Sequence, residues 1–321
     1  MNKINKKNKT IKDYCAIIIK DWRLYLMLLP IIIFFVLWKY LPMTGLLVAF
    51  KDYQSDKGVL GSNFLGFYHI KSLLFGSISG DFWRAFRNTF VISFQGLIFG
   101  FPVPIILALF FSEIKSDFYR SVTQILSYLP KFISTVIITT MITMLVRSGS
   151  AYNEAGFIAR ILYKIGLATP ENRILYEPQY FRAIYHISGI WQGAGYGSIV
   201  YFAAVMAISP TNYEAAKMDG ANKLAQIRYV TLPGMASTLT IMLILRIGNI
   251  LSIGYEKVLL LYNTYTYEVA DVISTFVIRY GMERGNSGLG SAADMFNSII
   301  AMILVLGANF ISRRASDTSL F

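Results

Sequence analysis

Residues 24–48, LYLMLLPIIIFFVLWKYLPMTGLLV, carry a single charge, Lys39. About twenty mostly apolar residues are enough to cross the hydrocarbon core of a bilayer as a helix. Comparable runs recur at 88–112, 124–146, 182–208, 236–254 and 292–311. In lipid, each segment has to satisfy its own backbone polar groups, which restricts such runs to helices or a closed barrel, and runs of this length and composition are helical. The pattern predicts an all-α integral membrane protein with six transmembrane helices.

Composition agrees: 55% of the 321 residues are hydrophobic and 15% are charged, where a soluble domain carries about a quarter charged residues. The net charge of +12 does not mark a nucleic-acid binder, because that reading needs basic residues gathered on a soluble face. Seven of the thirty Lys and Arg precede Leu24, directly ahead of the first apolar run, as in a cytoplasmic segment held near anionic lipid. Trp38, Tyr40 and the lack of a small-x-small cleavage site favour a retained span over a cleaved leader.

Six spans put both termini on one side. The segments 1–23, 113–121, 209–234 and 313–321 then share a side and hold fourteen of the thirty Lys and Arg, which predicts both termini on the cytoplasmic side of the membrane. The chain divides into a basic N-terminus (1–23), a first transmembrane helix (24–48), an extracellular segment (49–84), a core (85–314) and a short tail (315–321). Cys15 is alone, so no disulfide forms within the chain. His69 and His186 have no ligand-type neighbours at metal-binding spacing, and no metal site is expected.

One polar segment interrupts the greasy second half. In SPTNYEAAKMDGANKLAQI (209–227), Ser209 and Thr211 are candidate caps, Pro210 suits a first turn, and Glu214 falls where the helix dipole favours an acid. Gly220 interrupts the helix and suggests a turn joining two short helices. Small residues at 215, 216, 221 and 225 beside Lys217, Asp219, Lys223 and Arg228 suit docking into a partner's groove. They suit an interfacial helix resting on lipid headgroups equally well.

The same stretch resembles the EAA loop of permease subunits in binding-protein-dependent ABC importers. Glu214-Ala215-Ala216, three residues, Gly220, nine residues, Val230, one residue and Leu232-Pro233 reproduce that signature, with Asp219 and Ala221 completing the MDGA form seen in sugar permeases. The segments 259–282 and 291–314 resemble the end of the larger permease of maltose-type transporters, in the branch associated with complex oligosaccharides. Ser237 stands where members often have a second proline.

The resemblance implies a core of five helices with a sixth ahead of it and a cytoplasmic coupling helix that inserts into an ATPase cleft. Glu214 would meet a basic partner group there, and Asp219 with Gly220 would shape the helix end. The implied partners are a second homologous permease, two cytoplasmic ATPase subunits and an extracellular solute-binding protein. ATP and Mg²⁺ would be bound by the ATPase. This chain supplies no P-loop, since Lys9-Thr10, Lys71-Ser72 and Lys115-Ser116 follow Asn8, Ile70 and Ile114 rather than glycine.

Carbohydrate or oligosaccharide is the implied cargo, moved by alternating access. A peptide or amino-acid permease and an ion-coupled secondary transporter are the alternatives. Polar and aromatic residues within spans are costly and often line a path. Candidates are Trp191, Gln192 and Tyr196 in the fourth span, Asn88 and Gln95 in the second, Arg246 and Asn249 in the fifth, and Asn297 in the sixth. Helix packing accounts for the same residues equally well. No catalytic constellation is present, and the acids Glu256, Glu268 and Asp271 read as solvated loop residues.

Overall fold

The computed structural model describes residues 20–149 and 152–315. Most of the basic N-terminus, including Cys15, and the tail 316–321 lie outside the described residues. Helix α1 (Trp22–Phe50) runs for 29 residues. Its hydrogen-bond ladder widens to a π turn at Val36–Tyr40, then tightens to a 3₁₀ stretch at Leu41–Phe50 that takes Pro42 in its first turn. A two-residue antiparallel ladder follows, pairing β1 (Lys51–Asp52) with β2 (Asn63–Phe64). Next come α2 (Tyr68–Phe75) and α3 (Ser79–Glu113), the latter continuous past Pro102. The expected extracellular segment 49–84 therefore ends inside α3.

The third apolar run is not one straight helix. Its halves, α4 (Asp117–Phe132) and α5 (Thr135–Val146), meet at 99°. Pro130 opens a closing 3₁₀ turn, Ile133 is extended, and the Ser134 side chain accepts from Ile137 N to cap α5. A proline and a capping serine four residues apart end one helix and start another. The carbonyl of Ile133 is freed by the break and accepts from Gln192 Nε2 at 3.3 Å. Such re-satisfaction is what permits irregular backbone among membrane helices.

Beyond α6 (Phe157–Lys164), α7 (Pro178–Met206) is a single 29-residue helix. It turns by 68° into α8 (Pro210–Met218), and α9 (Lys223–Gly234) turns by 67° into α10 (Ala236–Gly248). After α11 (Tyr255–Leu261) and a short helix over residues 273–283, here α12, the last helix α13 covers Ser287–Arg313. Three of these helices are each long and apolar enough to cross a membrane; counting each bent pair as one span gives six.

Packing fixes which ends lie together. Ala49 of α1, Phe82 and Ala85 of α3, Phe276 of α12 and Ala292 of α13 share one fully buried cluster. The far end of α3 meets the polar hairpin, where Lys223 Nζ lies 2.5 Å from Glu113 Oε2. Trp22 and Arg313 therefore point towards the hairpin end of the bundle. No residue of Trp22–Phe35 is buried, so this stretch presents apolar side chains on every side.

Asp271, expected as a solvated loop acid, is fully buried. Arg279 grips it through both guanidinium nitrogens at 3.0 and 2.6 Å, Thr275 Oγ1 donates to it at 2.9 Å, and Arg84 lies 3.7 Å away. The reversal has a physical cause. Residues 262–283 fold back on α3 instead of extending outward, and a carboxylate taken out of water needs this many donors.

Candidate functional site

The polar segment forms a helix-turn-helix hairpin. Helix α8 ends at Met218 with Asp219 as its C-cap, and Gly220 adopts φ +78°. Gly220 N donates to Lys217 O at 3.0 Å and Ala221 N to Ala216 O at 2.9 Å. Those two bonds are a Schellman motif, whose left-handed position glycine occupies without strain. Asn222 then caps α9, its Oδ1 accepting from Ala225 N at 2.9 Å. One short signature thus encodes stop, reversal and restart.

Internal bonds brace the hairpin. Tyr213 Oη and Thr231 Oγ1 are 3.1 Å apart across its two arms, and Gln226 Nε2 donates to Ala221 O at 2.9 Å. At the base, a Cβ on Gly234 would lie 2.7 Å from Ile208 Cδ1, so the two entering strands of chain close on each other. Met235 buries beneath them against Ala108, Tyr201 and Val205.

Its tip is apolar yet open. Met218 is 88% and Leu224 77% exposed on either side of the turn, and Glu214, Ala215, Asp219, Leu232 and Pro233 are exposed as well. Ala216 and Ala221 are half-buried. A cleft of about 450 Å³ opens between the hairpin and the end of α3, lined in part by Glu113, Arg120, Glu214, Lys217 and Lys223. Small, braced and tipped with bare hydrophobic side chains, the hairpin can enter a groove without reorganising itself.

The expected path residues do not converge on one point. Gln192 serves the α4–α5 break, and Tyr196 packs edge-on against Phe132 with ring centroids 6.1 Å apart. Trp191 lies about 140° round α7 from Tyr196 at 100° per residue, and both are about half exposed. Gly195 between them is a packing glycine, because a Cβ there would sit 1.9 Å from Ser127 O. Asn249 Nδ2 donates to Leu245 O at 3.0 Å and Asn297 Nδ2 to Leu251 O at 3.2 Å. These two side chains satisfy backbone near the end of α10.

Gln95 and Asn88 both meet side chains of α7. Gln95 Oε1 is 3.2 Å from His186 Nε2, and Asn88 Oδ1 accepts from Arg182 Nη2 at 3.1 Å. Arg182, His186 and Gly189 follow at i, i+4 and i+7, one stripe of α7. That spacing is legible in the sequence as an i, i+4, i+7 stripe, whereas its partners on α3, Asn88 and Gln95, are brought to it only by the fold.

The family described as "Binding-protein-dependent transport system inner membrane component" matches residues 100–315. Protein LplB of Bacillus subtilis (strain 168) is 34% identical over 309 residues, 96% of this chain and 94% of that protein. The polygalacturonan/rhamnogalacturonan transport system permease protein YteP of the same organism is 36% identical over 304 residues, 95% and 92% of the two chains. Among solved structures, a chain of a bacterial ABC transporter involved in the import of the acidic polysaccharide alginate superposes with a TM-score of 0.82. The two are 40% identical, over 94% of this chain and 98% of that one. In the complex of the bacterial alginate ABC transporter with an alginate pentasaccharide-bound periplasmic protein, the corresponding values are 0.83, 41%, 95% and 99%.

Proposed function

The chain belongs to the family of binding-protein-dependent transport system inner membrane components, and on that premise we propose that it is the transmembrane permease subunit of an ATP-driven importer of oligosaccharides. The braced hairpin at residues 209–234 carries this reading, because it is built to receive force from outside the bundle. Relatives similar over nearly their whole length, named for the transport of polygalacturonan, rhamnogalacturonan and alginate, support carbohydrate as the cargo class.

A cytoplasmic ATPase subunit receives α8 in a cleft. Met218 and Leu224 bury there, and Glu214 meets a cationic group of the ATPase. Lys217, Lys223 and Asp219 set the register. Closure of an ATPase dimer on ATP and Mg²⁺ pushes the hairpin, and its tight base at Ile208 and Gly234 passes the motion to α7 and α10. Alternating access follows, with the two permeases rocking about a path between them. A second, homologous permease completes the membrane unit, and an extracellular solute-binding protein delivers cargo at the end opposite the hairpin. Both chain ends lie in the cytoplasm of a bacterial plasma membrane.

Affinity purification of this chain from membranes expressing the whole transporter tests the coupling. The ATPase subunit co-purifies with the unmodified chain and is lost with Glu214→Arg, while the partner permease stays bound to both. Recovery of the ATPase unchanged by Glu214→Arg and by a second variant, Leu224→Asp, would remove the hairpin from the coupling role.

A further inference from the structure

At the end of the bundle away from the hairpin, four helices carry five cationic or potentially cationic side chains: Arg87 on α3 and Arg246 on α10, both exposed, and Arg182 and His186 on α7 and Lys257 on α11, all half-buried. Among the described residues, none forms an ion pair with a carboxylate. The two nearby aspartates are otherwise engaged, Asp271 with Arg279 and Arg84, and Asp81 with Arg84, while Glu256 and Glu268 are exposed. The five spend few of their donors. Arg87 Nη2 donates to Glu268 O at 3.2 Å and Arg182 Nη2 to Asn88 Oδ1 at 3.1 Å. Buried Arg182 Nε has no partner. Lys257 Nζ donates only to Tyr185 O at 3.2 Å and sits 5.2 Å from that ring's centroid. Arg246 makes no hydrogen bond among the described residues.

Glycines hold the deeper members of the set in place. A Cβ on Gly96 would lie 3.7 Å from His186 Cε1 and 4.0 Å from Arg246 Nη2. One on Gly100 would lie 3.7 Å from Arg246 Nη2, and one on Gly189 3.4 Å from Lys257 Nζ. The heads of His186, Arg246 and Lys257 therefore each lie close to a glycine of α3 or α7, where no side chain stands between them and the backbone. A charge kept among membrane helices without a counter-charge is expensive, and such residues face a bundle interior or path. Like charges gathered this closely repel, so an anion entering between them is favoured.

We propose that Arg182, Arg246 and Lys257, with His186 between them, form a ladder of binding sites for the carboxylates of an acidic oligosaccharide, drawing a uronate-containing chain from the outer rim of the path towards its middle. The assignment deepens the carbohydrate reading above and rests on it. Several cations in place of one suit a polymer with repeated charges: successive carboxylates pass from one cation to the next, and no single site holds the chain strongly enough to stop it. Charge-assisted contacts of guanidinium with carboxylate are the strong, geometrically specific kind. A neutral sugar of the same length would leave the cations unpaired and forfeit them.

The test uses the complete transporter, both permeases with the ATPases, in nanodiscs without the binding protein. Equilibrium binding of labelled trigalacturonate is compared with that of its methyl ester, which is neutral and of equal length. The acid is expected to bind at least tenfold more tightly, with the difference shrinking as salt rises. Arg246→Gln and Lys257→Gln each weaken binding of the acid about tenfold and leave that of the ester where it was. Equal binding of acid and ester, or variants that weaken both alike, would overturn the ladder. So would loss of the partner permease on size-exclusion chromatography of Arg246→Gln, which would mark the cations as an ion-paired subunit contact. Binding of the neutral ester in preference to the acid would overturn the ladder and leave the carbohydrate reading standing. Binding of neither sugar, with uptake of a peptide by the intact transporter, would overturn that reading itself.

Discussion

Gly220 sets the shape of the hairpin, and replacing it separates backbone conformation from contact. Its φ is +78°, and no heavy atom lies within 4 Å of the point a Cβ would occupy. Alanine there meets no obstacle, so its whole cost is the left-handed backbone, about 1–2 kcal/mol for an ordinary L residue. Asparagine visits that region readily and loses much less. The penalty falls on the conformation that docks, because only the Schellman turn presents Met218 and Leu224 together. At 1.4 kcal/mol per decade, affinity for the ATPase drops about five- to thirtyfold in Gly220→Ala. In Gly220→Asn it stays within about threefold. Biolayer interferometry of the nanodisc-embedded permease pair against the purified ATPase, with this chain alone altered, measures both. Equal weakening by alanine and asparagine would refute the conformational account, as would full affinity in the alanine variant.

Other substitutions test the packing. Gly195→Ala forces a methyl to within 1.9 Å of Ser127 O and lowers stability by about 1–3 kcal/mol. Gly193→Ala, which has nothing within 4 Å, is close to neutral, and thermal unfolding followed by fluorescence-detected size exclusion separates the two. Arg279→Gln leaves the buried Asp271 carboxylate with the Thr275 hydroxyl and the more distant Arg84 and costs about 3–5 kcal/mol in the same assay. Lys223→Ala removes an ion pair whose side chains are 64% and 50% exposed and costs less than about 1 kcal/mol.

The hairpin was largely readable from sequence because each of its devices is local. Proline at a helix start, glycine at a left-handed position and asparagine as a cap act over three or four residues. The apolar runs likewise announce helices, since bilayer thickness sets their length. The break between α4 and α5 was within reach, because Pro130 and Ser134 carry ordinary stop and start chemistry, but the hydrophobicity of the run masked them. Asp271 was not readable: its burial depends on residues 262–283 folding back on α3, and its partner Arg84 lies 187 positions earlier in the chain. The cationic ladder is non-local in the same way, with members brought together from three helices. The amide candidate Gln192 and its neighbour Gly195 mark close helix contact, a use of small and polar residues that composition cannot distinguish from a path.

Uptake of a labelled oligosaccharide into proteoliposomes holding the complete transporter tests the central claim most directly. Trigalacturonate with the binding protein outside and ATP inside is expected to accumulate only while ATP is hydrolysed, to continue when a protonophore collapses the proton gradient, and to stop with Glu214→Arg. Accumulation that needs no ATP and vanishes with the protonophore would contradict the account.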